Sequence, residues 1–361
     1  MVFHLSRITF NGQNLFYENK MRKTILLFIT LFNITPHAFA IYSEGDINLP
    51  LQSSVVNYSD CFSGFYSSYE SWKNSTVINS GVKEQYFIHR FSEDDYHLFK
   101  ENTFCYSITY KVNKHLVKGF LLYPKENNYK KIPSIIYNRG GNDSKYHTLT
   151  FDNLFSYLFP LALEGHIVIA SQYGGAKVWP KSFKGNGGVD EFGGAEVNDV
   201  LALIPIIDAL PIADPNRIAM FGWSRGGMMS LIAVTKTDRI KTLILGASPV
   251  DYITSTLTSS PFENEVLSRL IPNYKANKAQ ALKQRSAIYW ADKIPKDIAI
   301  LMLHGTNDKR VDVNSVINFV DLIKRLGINV KLKKYENGSH SLIESRGNVY
   351  NSILDWLKNN L

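Results

Sequence analysis

The sequence predicts an α/β fold: a mostly parallel sheet with helices on both faces, preceded by a small N-terminal extension. Two observations carry that expectation. Short apolar runs bounded by turn residues recur at 135–138, 166–171, 218–221, 242–246, 299–303 and 330–335. Between them lie stretches of helical period, such as Val197, Val200, Leu201, Ile204 and Ile207, and later Tyr350, Ile353, Leu354 and Leu357. Apolar runs of strand length alternating with helical patterns build parallel sheets covered on both faces. Ligands then bind at the loops leaving the strands' C-terminal ends.

In chain order, residues 1–20 are polar and without pattern. Met21-Arg22-Lys23 then heads an apolar run, 25–34, which ends at Pro36 and is followed by Ala38-Phe39-Ala40. A basic start, about ten apolar residues and an Ala-x-Ala site form a secretory signal. Residues 21–40 are therefore expected to be a signal peptide cleaved after Ala40, with translation starting at Met21 and the product periplasmic or secreted. A spanning helix needs about 20 apolar residues, so no stable membrane span is expected.

Residues 41–115 form the extension. Phe62, Phe65, Tyr66, Tyr69 and Trp72 are spaced like a small aromatic packing face. Alternation from 85 to 123 predicts strands, with a hairpin of 104–112 and 117–123 around Asn113-Lys114. The only two cysteines, Cys61 and Cys105, both lie here. In an exported chain they permit a disulfide, which would close a loop of about 45 residues and stabilise by ~4 kcal/mol. The alternative is a pair of buried thiols.

The 361 residues carry 40 Lys+Arg against 32 Asp+Glu, a formal charge of +8. Residues 1–40 hold four basic residues and one acidic, so +5 remains after them. The excess is dispersed, as at Lys125, Lys130-Lys131 and Lys331 to Lys334, with no basic block interleaved with aromatics. That describes a solvated basic surface, and no nucleic-acid partner is expected.

The catalytic region is expected over 116–361. Its apolar run 218–221 enters Gly222-Trp223-Ser224-Arg225-Gly226-Gly227 and then a helix-like segment. Strand, Gly-x-Ser-x-Gly, helix is the pattern of a nucleophile elbow, in which a turn too tight for side chains at its flanks exposes the serine oxygen. Such a serine needs a base and an orienting acid downstream, each after a strand. Run 299–303 leads into His304-Gly305-Thr306-Asn307-Asp308, and run 330–335 leads into Glu336-Asn337-Gly338-Ser339-His340. Ser224, Asp308 and His340 are the candidate nucleophile, acid and base, with Asp312 and Asp251 as competing acids. His304 reads as a packed strand-end residue. His89, His97, His115 and His147 are scattered without ligand spacing. Neither His-Glu-x-x-His nor paired Cys-x-x-Cys occurs, so no metal or other cofactor is expected.

With Gly-Trp-Ser-x-Gly-Gly, His-Gly-Thr-x-Asp and Gly-x-His in place, the chain resembles the catalytic domain of the prolyl oligopeptidase family of serine peptidases. The likeness runs from about Lys118 to Leu361 and includes Asp190-Glu191-Phe192-Gly193-Gly194 followed by Asn198-Asp199-Val200. The resemblance implies an α/β-hydrolase fold and catalysis by Ser224, Asp308 and His340. Two departures stand out. Many members carry a large β-propeller, for which about 75 residues between signal and core leave no room. Members usually have a tyrosine or histidine before the glycine pair of the oxyanion loop, where this chain reads Tyr137-Asn138-Arg139-Gly140-Gly141.

A tetrahedral oxyanion in a dry site needs more than one donor, each worth ~2.7–4 kcal/mol of transition-state stabilisation. The backbone N–H of Arg225 is the first candidate. The loop of Arg139 and Gly140 supplies the second, through a backbone N–H or the guanidinium. Arg139 has two other possible roles, binding a substrate carboxylate or pairing with an acid such as Asp143. Two long stretches, 173–194 with Trp179 and Phe183 and 251–290 with Phe262, Leu267, Leu270 and Tyr289, leave strands flanking the nucleophile. They are expected to form the substrate pocket or a small cap.

The expected function is hydrolysis of a peptide bond through an acyl-enzyme, the resemblance favouring peptides. The triad chemistry alone serves esters equally, so a carboxylesterase acting on a small ester is the alternative. A non-catalytic hydrolase fold used for binding is the third reading.

Overall fold

Nine strands form one sheet in the order β1-β2-β3-β5-β4-β6-β7-β8-β9. They are β1 (Val55–Asp60), β2 (Thr103–Val112), β3 (His115–Pro124), β4 (Ile132–Asn138), β5 (Ile167–Ser171), β6 (Ala213–Trp223), β7 (Thr242–Gly246), β8 (Ala299–Gly305) and β9 (Asn329–Tyr335). This computed structural model describes residues 54–126, 131–143, 147–176, 187–254 and 260–361. The signal peptide read at 21–40, the segment before it, Trp179 and Phe183 lie outside the described residues.

β1, β2, β3 and β5 pair antiparallel in succession, and from β5 through β4, β6, β7, β8 and β9 every pairing is parallel. The five residues of β5 and the five of β7 are all buried. That is why these runs are apolar apart from Ser171 and Thr242, whose buried hydroxyls are hydrogen-bonded. β9 closes one edge, and its Lys331, Lys333 and Lys334 put charge on the exposed rim, which discourages pairing with another chain. The expected helix near 197–207 forms as two pieces, Val197–Leu201 and Leu203–Ala209. The C-terminal helix, Arg346–Asn360, buries Val349, Ile353 and Leu357.

The extension differs from its sequence reading. Where alternation predicts strands from residue 85, Glu84–Arg90 and Glu93–Asn102 are helices, and strand begins only at Thr103. The reason is local. The Ser92 side chain caps the second helix by accepting from the Asp95 N–H, and Glu93, Asp94 and Asp95 place three acids on the positive end of its dipole. Tyr96 and Phe99 then fall on one helical face, and both are buried. The helix Tyr69–Ser80 is bounded by the Ser68 cap and by Gly81 at φ 66°, a left-handed C-cap.

The boundary expected at 115–116 falls inside the first residues of β3, just past the turn where Asn113 takes φ 49°, and His115 and Leu116 are already paired with β2. Sheet and extension are therefore continuous. Trp72 is fully buried against Phe87, Phe91, Phe151 and Phe155, and its Nε1–H donates to Asp152 Oδ1 at 3.1 Å. Of the five expected packing aromatics, Phe65 stays at the surface. Cys61 and Cys105 form a disulfide with a Cα–Cα distance of 5.4 Å, joining the end of β1 to β2. Among the described residues no helix is long and apolar enough to cross a membrane.

Candidate active site

Parallel pairing brings the C-terminal ends of β4, β6, β8 and β9 to one edge, and each expected functional residue follows one of those ends. Ser224 stands between β6 and the helix Arg225–Val234 with φ 53° and ψ −124°. A serine pays about 1–3 kcal/mol for such a backbone, which persists only where the surroundings enforce it. They do so here through closeness. A Cβ at Gly222 would drive into the Gly226 carbonyl, one at Gly226 into the Asn138 carbonyl, and one at Gly227 into the Ser248 side chain. The Ser224 N–H donates to the Gly246 carbonyl at 2.7 Å, and the Gly227 N–H donates to the Ser224 carbonyl at 2.9 Å. The helix therefore begins directly after the serine, where the N–H of Arg225 has no intrahelical acceptor.

Asp308 follows β8, and its side chain is wholly buried. Its Oδ2 accepts from His340 Nδ1 at 2.8 Å, while Oδ1 accepts from the N–H groups of Arg310 and Val311 at 2.8 and 3.1 Å. Burial alone would raise this carboxyl, but the His340 hydrogen bond and the two backbone donors hold it below its usual range. Asp308 is thus a carboxylate that fixes the His340 proton on Nδ1 and leaves Nε2 to accept. The competing acids are occupied elsewhere. Asp312 caps the helix Val313–Arg325, and Asp251 accepts from Ile253, Thr254 and the Thr254 hydroxyl.

The His340 loop is tied to both neighbours. Asn307 donates to the Gly338 carbonyl at 3.0 Å, joining base loop to acid loop. Trp223 Nε1–H donates to the His340 carbonyl at 3.1 Å, joining base loop to elbow. Glu344 accepts from both the N–H and the hydroxyl of Ser339. His304, behind the acid, is buried and held below its usual pKa by desolvation. Its Nε2 lies 3.0 Å from the Val311 carbonyl and 3.4 Å from Asp308 Oδ2.

Beside the elbow runs the loop after β4. A Cβ placed at Gly140 would lie 2.9 Å from the Trp223 carbonyl oxygen and 3.4 Å from Ser224 Cβ, so this backbone runs beside the elbow. Arg139 is 3% exposed, and its guanidinium donates to the carbonyls of Gln172 at 2.8 Å and Gly140 at 3.0 Å. Burial lowers it to about 10. Asp143 is paired with Arg269. The Arg225 side chain is buried against Asp190 and Glu196, two acids that more than offset its desolvation and hold it charged.

The two long stretches pack together here. Phe192 lies 4.6 Å from the Arg225 guanidinium and edge-on to Tyr252 and Phe262, while Arg285 donates to the carbonyls of Glu191 and Phe192. Of the other residues expected to line the pocket or cap, Leu267 is buried, Leu270 is half-buried and Tyr289 is exposed.

The sequence profile of the prolyl oligopeptidase family matches residues 152–361. The chain belongs to the prolyl oligopeptidase family. Dipeptidyl aminopeptidase B of Saccharomyces cerevisiae is 24% identical over 233 residues, covering 63% of this chain and 27% of that protein. The uncharacterized peptidase YtmA of Bacillus subtilis is 22% identical over 255 residues, covering 70% of this chain and 93% of its own length. Among solved structures, the acylaminoacyl peptidase of Pyrococcus horikoshii superposes with a TM-score of 0.59 at 20% identity, over 73% of this chain and 43% of that one. The chain spans about a third or less of the first curated relatives it matches. The fold is that of the α/β-hydrolase peptidases.

The partners that hold this prolyl oligopeptidase family site carry no obvious signal in the sequence. Trp223 and Tyr173 lie in the motif and in a long loop, with no pattern that marks their bonds. Asp190 lies in one of the motifs that carry the resemblance and Glu196 lies just after it, yet only the fold shows that they face Arg225.

Proposed function

We propose that this chain is a serine peptidase that cleaves an amide bond through an acyl-enzyme on Ser224. The observation that carries the reading is the His340 Nδ1 to Asp308 Oδ2 hydrogen bond of 2.8 Å, in a loop bonded to the residue before a serine held at φ 53°. His340 Nε2 takes the Ser224 proton as Oγ attacks the carbonyl carbon, and the carbonyl π electrons move to oxygen. The oxyanion is met by the N–H of Arg225 and an N–H of the Arg139-Gly140-Gly141 loop, at the positive end of the helix Arg225–Val234. Collapse expels the amine, which takes the proton from His340, and water repeats the sequence to release the acid. Membership of the family and the peptidase names of its relatives support amide over ester substrates.

A fluorophosphonate probe should label the wild type and leave Ser224→Ala unlabelled. A panel of peptide amides run beside acyl esters of rising chain length tests the bond class, and ester turnover without any amide cleavage defeats the peptidase reading. Export is a second part of the proposal. The Cys61–Cys105 disulfide supports it, since such bridges persist in oxidising compartments. N-terminal sequencing of protein recovered outside the cytoplasm should begin at Ile41.

A further inference from the structure

Before the glycine pair of the loop after β4 stands a buried arginine, Arg139, and its bonds explain how the oxyanion loop is set. Two successive peptide units line the elbow. The carbonyl of the first, at Arg139, accepts from the Tyr173 hydroxyl at 3.1 Å. The carbonyl of the second, at Gly140, accepts from the Arg139 guanidinium at 3.0 Å. In a trans peptide the C=O and the following N–H point in opposite directions. Anchoring both carbonyls on the buried side therefore turns the N–H groups of Gly140 and Gly141 away from that side. The ideal Cβ position of Gly140, 3.4 Å from Ser224 Cβ, places this backbone beside the nucleophile.

The anchors are themselves held. Tyr173 is buried with φ 63°, its N–H donating to the Ser171 hydroxyl at 3.0 Å. The Arg139 guanidinium lies 4.5 Å from the centre of the Tyr173 ring, and that of Arg225 lies 5.5 Å from it. Arg139 reaches on to the Gln172 carbonyl at 2.8 Å. One ring thus contacts the side chains of both residues that flank the expected oxyanion hole, Arg139 in the loop and Arg225 at the helix start.

We propose that Tyr173 and Arg139 are positioning residues that hold the oxyanion loop with its N–H edge toward Ser224. The inference rests on Ser224 being the nucleophile. Arg139 thus acts through the backbone and does not itself touch the substrate oxygen.

The test uses the full chain and the rate at which a fluorophosphonate labels Ser224, a reaction that also builds negative charge on an oxygen in the hole. Tyr173→Phe deletes one hydroxyl and should slow labelling about tenfold per titratable site, with nearly all sites eventually labelled. Arg139→Met should slow it about a hundredfold. A boronic acid should lose affinity in step with those rates. A merely structural role would lower the melting temperature and the titratable fraction while leaving the rate per titratable site unchanged, and that result overturns the proposal. So does wild-type labelling speed in both variants. Labelling of Ser224→Ala, or none of the wild type, defeats the nucleophile assignment itself and the positioning role with it.

Discussion

The indole of Trp223 carries the main chain of His340: its Nε1–H donates to the His340 carbonyl at 3.1 Å. The residue before the nucleophile therefore supports the base, although 117 positions separate them. The ring packs directly over Gly246, where a Cβ would enter it, so this glycine leaves room for the indole. Trp223→Phe keeps most of the ring and removes the donor. We expect kcat to fall roughly fivefold to tenfold with KM nearly constant, the worth of one neutral hydrogen bond. Unchanged steady-state kinetics would show that the Asp308 bond alone orients the base.

Asp308 is expected to outweigh its competitors by orders of magnitude. Asp308→Asn removes the charge that fixes the His340 tautomer, and kcat should drop by about 10⁴-fold with little change in fold. Asp312→Ala loses only a helix cap, so about 1 kcal/mol of stability should disappear while activity persists. Comparable kinetic losses in the two variants would sink the assignment.

These expectations separate what the sequence discloses from what it hides. The strand-and-helix alternation was visible because a doubly covered parallel sheet demands apolar runs, as in β5 and β7. The elbow was visible because Gly222 and Gly226 have neighbouring carbonyls where a Cβ would sit. The extension misled because aromatics such as Tyr86 and Tyr106 suit either period. The Ser92 cap with its three following acids is the local signal for a helix there. Tyr173 is hidden for another reason, since the Arg139 carbonyl it bonds comes from a distant segment, and so is the Glu196–Arg225 pair, although Glu196 also accepts from the nearby N–H groups of Glu191, Gly193 and Gly194.

Elbow glycines should be intolerant of a single methyl. Gly226→Ala collides with the Asn138 carbonyl, backbone that cannot yield, so we expect a loss of about 3 kcal/mol or failure to accumulate folded protein. Gly347→Ala, with open space around it in the C-terminal helix, should be neutral or stabilise by about 0.5 kcal/mol. Urea melts of both variants check the contrast.

Replacing Cys61 and Cys105 by serine opens a loop with a sequence separation of 44 and should cost about 4 kcal/mol in unfolding free energy. Equal urea midpoints for the wild type with and without reductant would contradict it.

Acid should weaken the fold in two stages. Burial holds the His166 imidazole below its usual value, against the raising pull of the Leu161 carbonyl. Its neutral form is favoured by folding, so stability falls as pH drops below about 6.5, where the unfolded chain takes up the proton first. His166→Gln should flatten the change in melting temperature between pH 8 and pH 5. Asp308, with its folded value depressed, contributes stability that is present above about 3.9 and is lost only as pH falls through that lower value.

The aromatic seam around Trp72 has a practical consequence for trimming the protein. A fragment reduced to 152–361 would discard the rings that cover Phe155 and Phe159, remove β4 from between β5 and β6, and leave β5 with neither of its neighbours. The bared greasy flank and raw strand rim would favour clumping, although every triad member would still be encoded. Minimal versions should therefore keep everything from β1 onward.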